Sequence, residues 1–272
     1  MKGGIVPSIA LTRMYQAWLK MPDGPNKENF KATIIKHGGA SMFEVPFIDD
    51  FNRANIGADY VEYDPSNVST WSIVNNELQE YCLDCRNPGA LRTVIDNYDD
   101  FAFEVKFGFP VLLPDVGPRQ SDTFSPYLIL RANPLVPSWN DTCIMTSAAL
   151  IRNIAVGPSI TYSWWIGIEE WENGIYINST EMGGVTLPWS ITDRFRLYGT
   201  IIGNSVIVSF ERISDGVTVG PLIYTITSPI VKGCIGLKGT FGRVLRTPTT
   251  IPTQILHGPA TFVYDDLSII PS

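Results

Sequence analysis

Indoles and carboxylates crowd one short stretch of this chain. Tyr162 to Trp171 reads YSWWIGIEEW, and Glu172-Asn173-Gly174 follows. Cleavage of a glycosidic bond needs two carboxyl groups flanking it, and residues two apart on a strand share a face. Glu170 and Glu172 have that spacing, but Asn173-Gly174 is a strong hairpin turn and ends the strand beside them. Glu104 stands alone, and Asp99-Asp100 and Asp265-Asp266 fall at strand starts or turns. Solvated edge carboxylates are therefore expected, and no catalytic residue is assigned. The indoles point elsewhere. Trp165 and Trp171, six apart, share one face of the strand, and Trp164 takes the other. Aromatic rings on an open face can stack on sugar rings, and the same rings turned inward fill a core. Trp165, Trp171 and Glu170 form the candidate glycan platform, with core packing as the competing expectation.

Other chemistry has less support. Cys82-Leu-Asp-Cys85 has the spacing of zinc and redox sites, but Cys143, Cys234, His37 and His257 offer no second pair at ligand spacing. Reduced thiols in a protein that is not secreted are expected, with no metal and no cofactor. Each histidine neighbours a glycine, and neither has a recognisable Ser or Cys partner. Met182-Gly-Gly precedes no helix, so no phosphate loop is expected.

The elements around this stretch read as strands. Phe101, Phe103, Val105 and Phe107 alternate with Ala102, Glu104 and Lys106, the pattern of a strand with one wet face. Trp71–Val74, Asn75-Asn76 and Glu77–Gln79 read as a hairpin. Phe195–Ile201, Gly203-Asn204 and Val206–Phe210 read as another, with a further turn at Ser214-Asp215-Gly216. About a dozen strands with regular turns and no helix after residue 45 predict an antiparallel sandwich. Residues 1–45 differ. Ile9, Met14, Trp18 and Leu19 suit an amphipathic helix over 8–21 capped by Ser8 and stopped by Pro22. A PDGPNKEN loop and a short Ala32–Lys36 strand would follow. The predicted organisation is an arm over 1–45 and one β domain over 46–272.

Composition sets the bounds. The 272 residues are 44% hydrophobic and 17% charged, ample for a packed core, with seven Trp in the 11% aromatic content. A net charge of -7 without a basic run excludes an electrostatic nucleic-acid footprint. No apolar stretch approaches membrane-spanning length. The first twenty residues lack the apolar run and cleavage site of a secretory signal.

Several segments together carry a family resemblance. DDFNRANIGADY followed by WSIVNNELQ resembles the opening of concanavalin A-like jelly-roll domains. FRLYGTIIGNSVIVSFER, CIGLKG and FVYDDLSI resemble the family's late hairpin, its G-x-x-G-L strand and its closing strand. The resemblance covers about 48–270. It implies an all-β, antiparallel two-sheet jelly-roll sandwich whose first and last strands lie side by side. Phe51 and Trp71 would be core anchors, with Asp50, Asn52 and Arg53 hydrogen-bonding the loops that close its edge. The catalytic members' E-x-D-x-x-E or E-x-D-x-E strand is not reproduced here. A domain of this type with a short arm resembles the virion structural proteins of tailed bacteriophages. The expectation is a non-enzymatic capsid-decoration or tail component, assembled in the host cytoplasm. Ile9, Met14, Trp18 and Leu19 would contact other virion proteins or further copies of the chain in a homo-oligomer. A carbohydrate-binding module for host surface glycans is the alternative, and a divergent glycoside hydrolase the third reading.

Overall fold

The computed structural model describes residues 24–36, 46–64, 66–86, 88–93, 98–109, 120–132, 142–154, 160–186, 189–228, 230, 233–245 and 254–271. Two compact units divide the chain, one through Pro46 and one from Phe47 to Ile270.

In the first unit a helix, α1, spans Pro25–Lys36. This corrects the loop and short strand expected there. Proline is at home in the first turn of a helix, where its missing N–H is no loss, so Pro25 starts a helix within the stretch expected to be a loop. Thr33 donates its hydroxyl to the Asn29 carbonyl four residues back, 3.0 Å away. The helix expected over 8–21, with Ile9, Met14, Trp18 and Leu19, lies outside the described residues.

The second unit is built of strands: β1 Phe47–Asp49, β2 Tyr60–Tyr63, β3 Ser69–Val74, β4 Glu77–Cys82, β5 Ala90–Thr93, β6 Phe101–Gly108, β7 Gln120–Ala132 and β8 Cys143–Ile154. They continue as β9 Ile160–Glu172, β10 Ile175–Thr186, β11 Phe195–Ile202, β12 Ser205–Arg212, β13 Val217–Thr225, β14 Cys234–Leu245, β15 Gln254–Leu256 and β16 Ala260–Pro271. One sheet has the order β13-β12-β11-β6-β16-β4-β3, with β1 also on β16. The other has the order β10-β9-β8-β7-β14-β5-β2, with β15 on β14. The expected antiparallel jelly-roll sandwich is what forms.

Turn chemistry explains the hairpins. Asn75 and Asn76 take φ of 54° and 64°, and Asn173 and Gly174 take 52° and 75°. Two successive left-handed residues twist a tight turn the same way as its strands, and Asn and Gly tolerate that backbone best. The inner faces follow the alternation of the sequence. Phe101, Phe103, Val105 and Phe107 of β6 are buried with Phe195, Leu197, Val206, Val208 and Phe210 from the neighbouring strands. Trp164 comes from the facing sheet, with its ring centroid 4.3 Å from that of Phe195 and 4.8 Å from that of Phe210.

The seam between first and last strands has the implied geometry with one change of residue. Phe47 to Asp49 pair with Ile269 to Leu267, and β16 continues onto β4. Phe51 and Trp71 are both buried. The carboxylate that ties the opening segment is Asp49. It accepts the Arg53 fork at 2.5 and 2.7 Å, the Phe51 N–H at 2.8 Å and the Tyr60 hydroxyl at 2.8 Å. Asp50 accepts the Asn52 N–H, at 3.0 Å on the surface. One step along a strand reverses the face, so Asp49 points in and Asp50 out.

Candidate functional site

On the outer face of the second sheet, strands β7 to β10 enclose an open trough of about 440 Å³. Its floor exists because outward positions there carry small residues. Ser147 of β8 faces Tyr127 of β7 on one side and Gly167 of β9 on the other. Ala149 faces Trp165, and Ser125 of β7 also lines the space. Large side chains at these positions would fill the space, as they do on the inner face of the same strands.

Trp165 makes one wall. An added Cβ on Gly183 of β10 would lie 2.1 Å from Cδ2 of its indole, so the ring rests on bare backbone that only glycine allows. Register shifts just beyond Gly183, where Gly184 takes φ of 87°. A bulge of this kind bends an edge strand and re-aims its side chains. Ile151 and Thr123 line the trough beyond Trp165.

Tyr127, Glu169, Tyr176 and Trp171 build the other end. Glu169 Oε1 accepts the Tyr127 hydroxyl at 3.2 Å, and its Oε2 accepts the Trp171 indole N–H at 3.0 Å. Burial, then the charge of Glu169, push the Tyr127 phenol well above its ordinary range, so it stays a donor. Trp171 packs edge-on against Tyr176 at 5.5 Å and backs onto the small cluster of Ile129, Met145 and Cys143. Glu181 of β10 lies diagonal to Glu169, because Ser179 pairs with Glu169 and Glu181 with Gly167. The two carboxylates thus flank a position without a side chain. Lys238 of β14 sits behind the trough with its ammonium 5.0 Å from the Tyr127 ring centroid. Burial lowers it to about 8.

Trp165 and Trp171 therefore share the outer face, as their parity predicts, and Trp164 is in the core. Trp165 lines the trough, and Trp171 stands behind its end holding Glu169. Glu170 does not join them, which corrects its place in the expected platform. Alternation turns it inward, where it is 0% exposed. It accepts the Tyr224 hydroxyl at 2.5 Å, the Thr227 N–H at 3.0 Å, the Thr227 hydroxyl at 3.1 Å and the Ser228 N–H. Burial opposes its ionisation, but these donors win and hold the carboxyl at about 2. Glu172, which has the two-residue spacing from Glu170, pairs with Ile175 at the hairpin end. Glu169, Glu181, Tyr127 and Tyr176 are the trough residues that the sequence reading missed. The small outward residues Ser147, Ala149 and Gly167 of β8 and β9 mark the floor only once these strands are aligned.

All four cysteines are buried, and Cys85 directs its thiol to the Cys82 carbonyl at 3.3 Å. Among the described residues no group of three His, Cys, Asp or Glu side chains is placed to hold a metal ion.

No protein-family model and no curated protein matches this chain. Solved structures resemble it in part. A Bacillus subtilis protein of unknown function with a galectin-like fold is 10% identical. The alignment covers 83% of this chain and 94% of that one, with a TM-score of 0.46. The CBM2 module of the evolved Dit of Lactobacillus casei BL23 phage J-1 is 10% identical over 83% and 95% of the two chains, with a TM-score of 0.45. Lectin I of Ulex europaeus is 14% identical over 82% and 97%, with a TM-score of 0.44. At these scores none of them bears on ligand or activity.

Proposed function

We propose that this chain is a glycan-binding protein without catalytic turnover, and that the trough is its ligand site. One observation carries the reading: a floor of Ser125, Ser147, Ala149 and Gly167 is walled by Trp165, Tyr127 and Tyr176 and edged by Glu169 and Glu181. Sugar rings have apolar faces that stack on aromatics, and their equatorial hydroxyls pair with carboxylates and serine or threonine hydroxyls. A volume of about 440 Å³ falls in the usual range of small-ligand sites.

The test is an immobilised glycan array probed with the full chain and with Trp165→Ala. Binding that falls at least tenfold in the variant, with an unchanged melting profile, supports the site. Binding that survives removal of this ring places the ligand elsewhere. Product release from a bound glycan, abolished in Glu169→Gln, would overturn the non-enzymatic part.

Assembly into a virion through the segment before Pro46 is a second proposal. It rests on the apolar spacing of Ile9, Met14, Trp18 and Leu19 and on the separate unit that ends at Pro46. Deleting residues 1–25 is expected to abolish oligomer and particle association and to leave a soluble folded sandwich. Sedimentation of the truncated chain reads this directly, and unchanged assembly removes the arm's role.

A further inference from the structure

We infer that the trough selects glycans without acidic groups, discriminating against chains that carry uronate, sulfate or phosphate. The inference rests on the glycan-binding reading above and adds the chemical class of the ligand. Its ground is the charge placed around the ligand space. Glu169 and Glu181 both line the trough, and no Lys or Arg does so among the described residues. They stand diagonally on adjacent strands around Gly167, so a sugar lying over the floor meets two carboxylates at once.

Glu169 cannot turn away easily. Each of its oxygens already accepts one hydrogen bond, from Tyr127 and from Trp171, which fixes it in place and leaves its remaining lone pairs for sugar hydroxyls. Lys238 is buried against the Tyr127 ring and does not line the space. At a partly desolvated surface, one like-charge pair a few ångströms apart weakens binding by roughly tenfold. Two carboxylates compound that penalty for an acidic sugar. A neutral sugar pays none of it and gains acceptors for its hydroxyls.

The experiment uses the full chain on an array of neutral glucans, xylans and galactans alongside their uronate-bearing and sulfated counterparts. Titrations in solution of the best neutral probe and its carboxylated counterpart follow. The wild-type protein is expected to prefer the neutral member by tenfold or more. The preference should shrink severalfold in Glu181→Gln and shrink again in Glu181→Lys. Raising salt to about 0.5 M should also narrow it, since exposed like-charge repulsion is screened. Equal or tighter binding of the acidic member, or a ratio that neither variant moves, overturns the selectivity while leaving the trough as a glycan site. Binding of no glycan on either half of the array overturns the glycan reading and the selectivity with it.

Discussion

Asp122→Ala is expected to destabilise the sandwich by about 3–5 kcal/mol, the range for breaking a buried ion pair by removing one member. Asp122 is 0% exposed on the inner face of β7, and the side chains of Arg152 and Arg243 are 4% and 5% exposed. The Arg243 guanidinium reaches Oδ1 at 2.8 Å from Nε and Oδ2 at 3.1 Å from Nη2. Arg152 reaches Oδ2 at 2.7 Å from Nη2, and the Gln120 amide donates to the same oxygen at 2.7 Å. One carboxylate therefore serves two guanidinium groups from the strands on either side of β7. Taking it away removes the carboxylate that both buried guanidinium groups share. For a domain of this size the loss corresponds to a fall in melting temperature of roughly 10 °C. Asp122→Asn, which keeps the volume, is expected to lose nearly as much, because the charge is what the arginines need. Calorimetry of both variants decides the matter, and a loss below about 1 kcal/mol would show that the cluster is not held by this carboxylate. The consequence for the site is direct, since the neighbouring residue Thr123 lines the trough from the other face of the same strand.

Glu170 supports the trough from behind at its other end, and its removal should be felt through pH. Its folded-state value of about 2 lies below the ordinary 4.5. A depressed carboxyl contributes stability that is fully present above its unfolded pKa and is lost as pH falls through the folded one. The difference amounts to about 3 kcal/mol at neutral pH. Wild-type protein should lose that increment between about pH 5 and pH 2. Glu170→Gln should begin about 3 kcal/mol less stable at pH 7 and show a correspondingly flatter acid limb. Denaturant titrations at pH 7, 4 and 2.5 measure both quantities. Parallel curves for the two proteins across that range would refute the role. Tyr224 should then titrate more readily in the variant. Burial and, after it, the hydrogen bond to Glu170 now push its phenol upward.

Much of this was legible in the residues alone, for local reasons. Asn75-Asn76 and Asn173-Gly174 specify left-handed turn backbone whatever surrounds them, so two hairpins could be placed from the sequence. Period-two alternation in β6 and in β9 depends only on the pleat. It separated buried Trp164 from Trp165 and Trp171 correctly. The same rule should have excluded Glu170 from the platform, because it shares the parity of Trp164. The helix Pro25–Lys36 was missed because Pro25 suits a turn and a first helical turn equally well.

The trough itself had no local signature. Its floor joins Ser125, Ser147, Ala149 and Gly167 from three strands, and its acidic edge joins Glu169 to Glu181 across a hairpin register set by the bulge between Tyr176 and Asn178. Small residues leave no pattern that marks them as a floor until neighbouring strands are aligned. The partners of Asp122 lie 30 and 121 positions away, so only strand pairing could show that one buried carboxylate serves both arginines. Composition, turn residues and alternation decided that the chain folds as a two-sheet sandwich and that Trp164 takes the face opposite to Trp165 and Trp171. Strand order and register decided that the outward indole stands over an open acidic trough, because side chains distant in sequence meet only when neighbouring strands pair in one register.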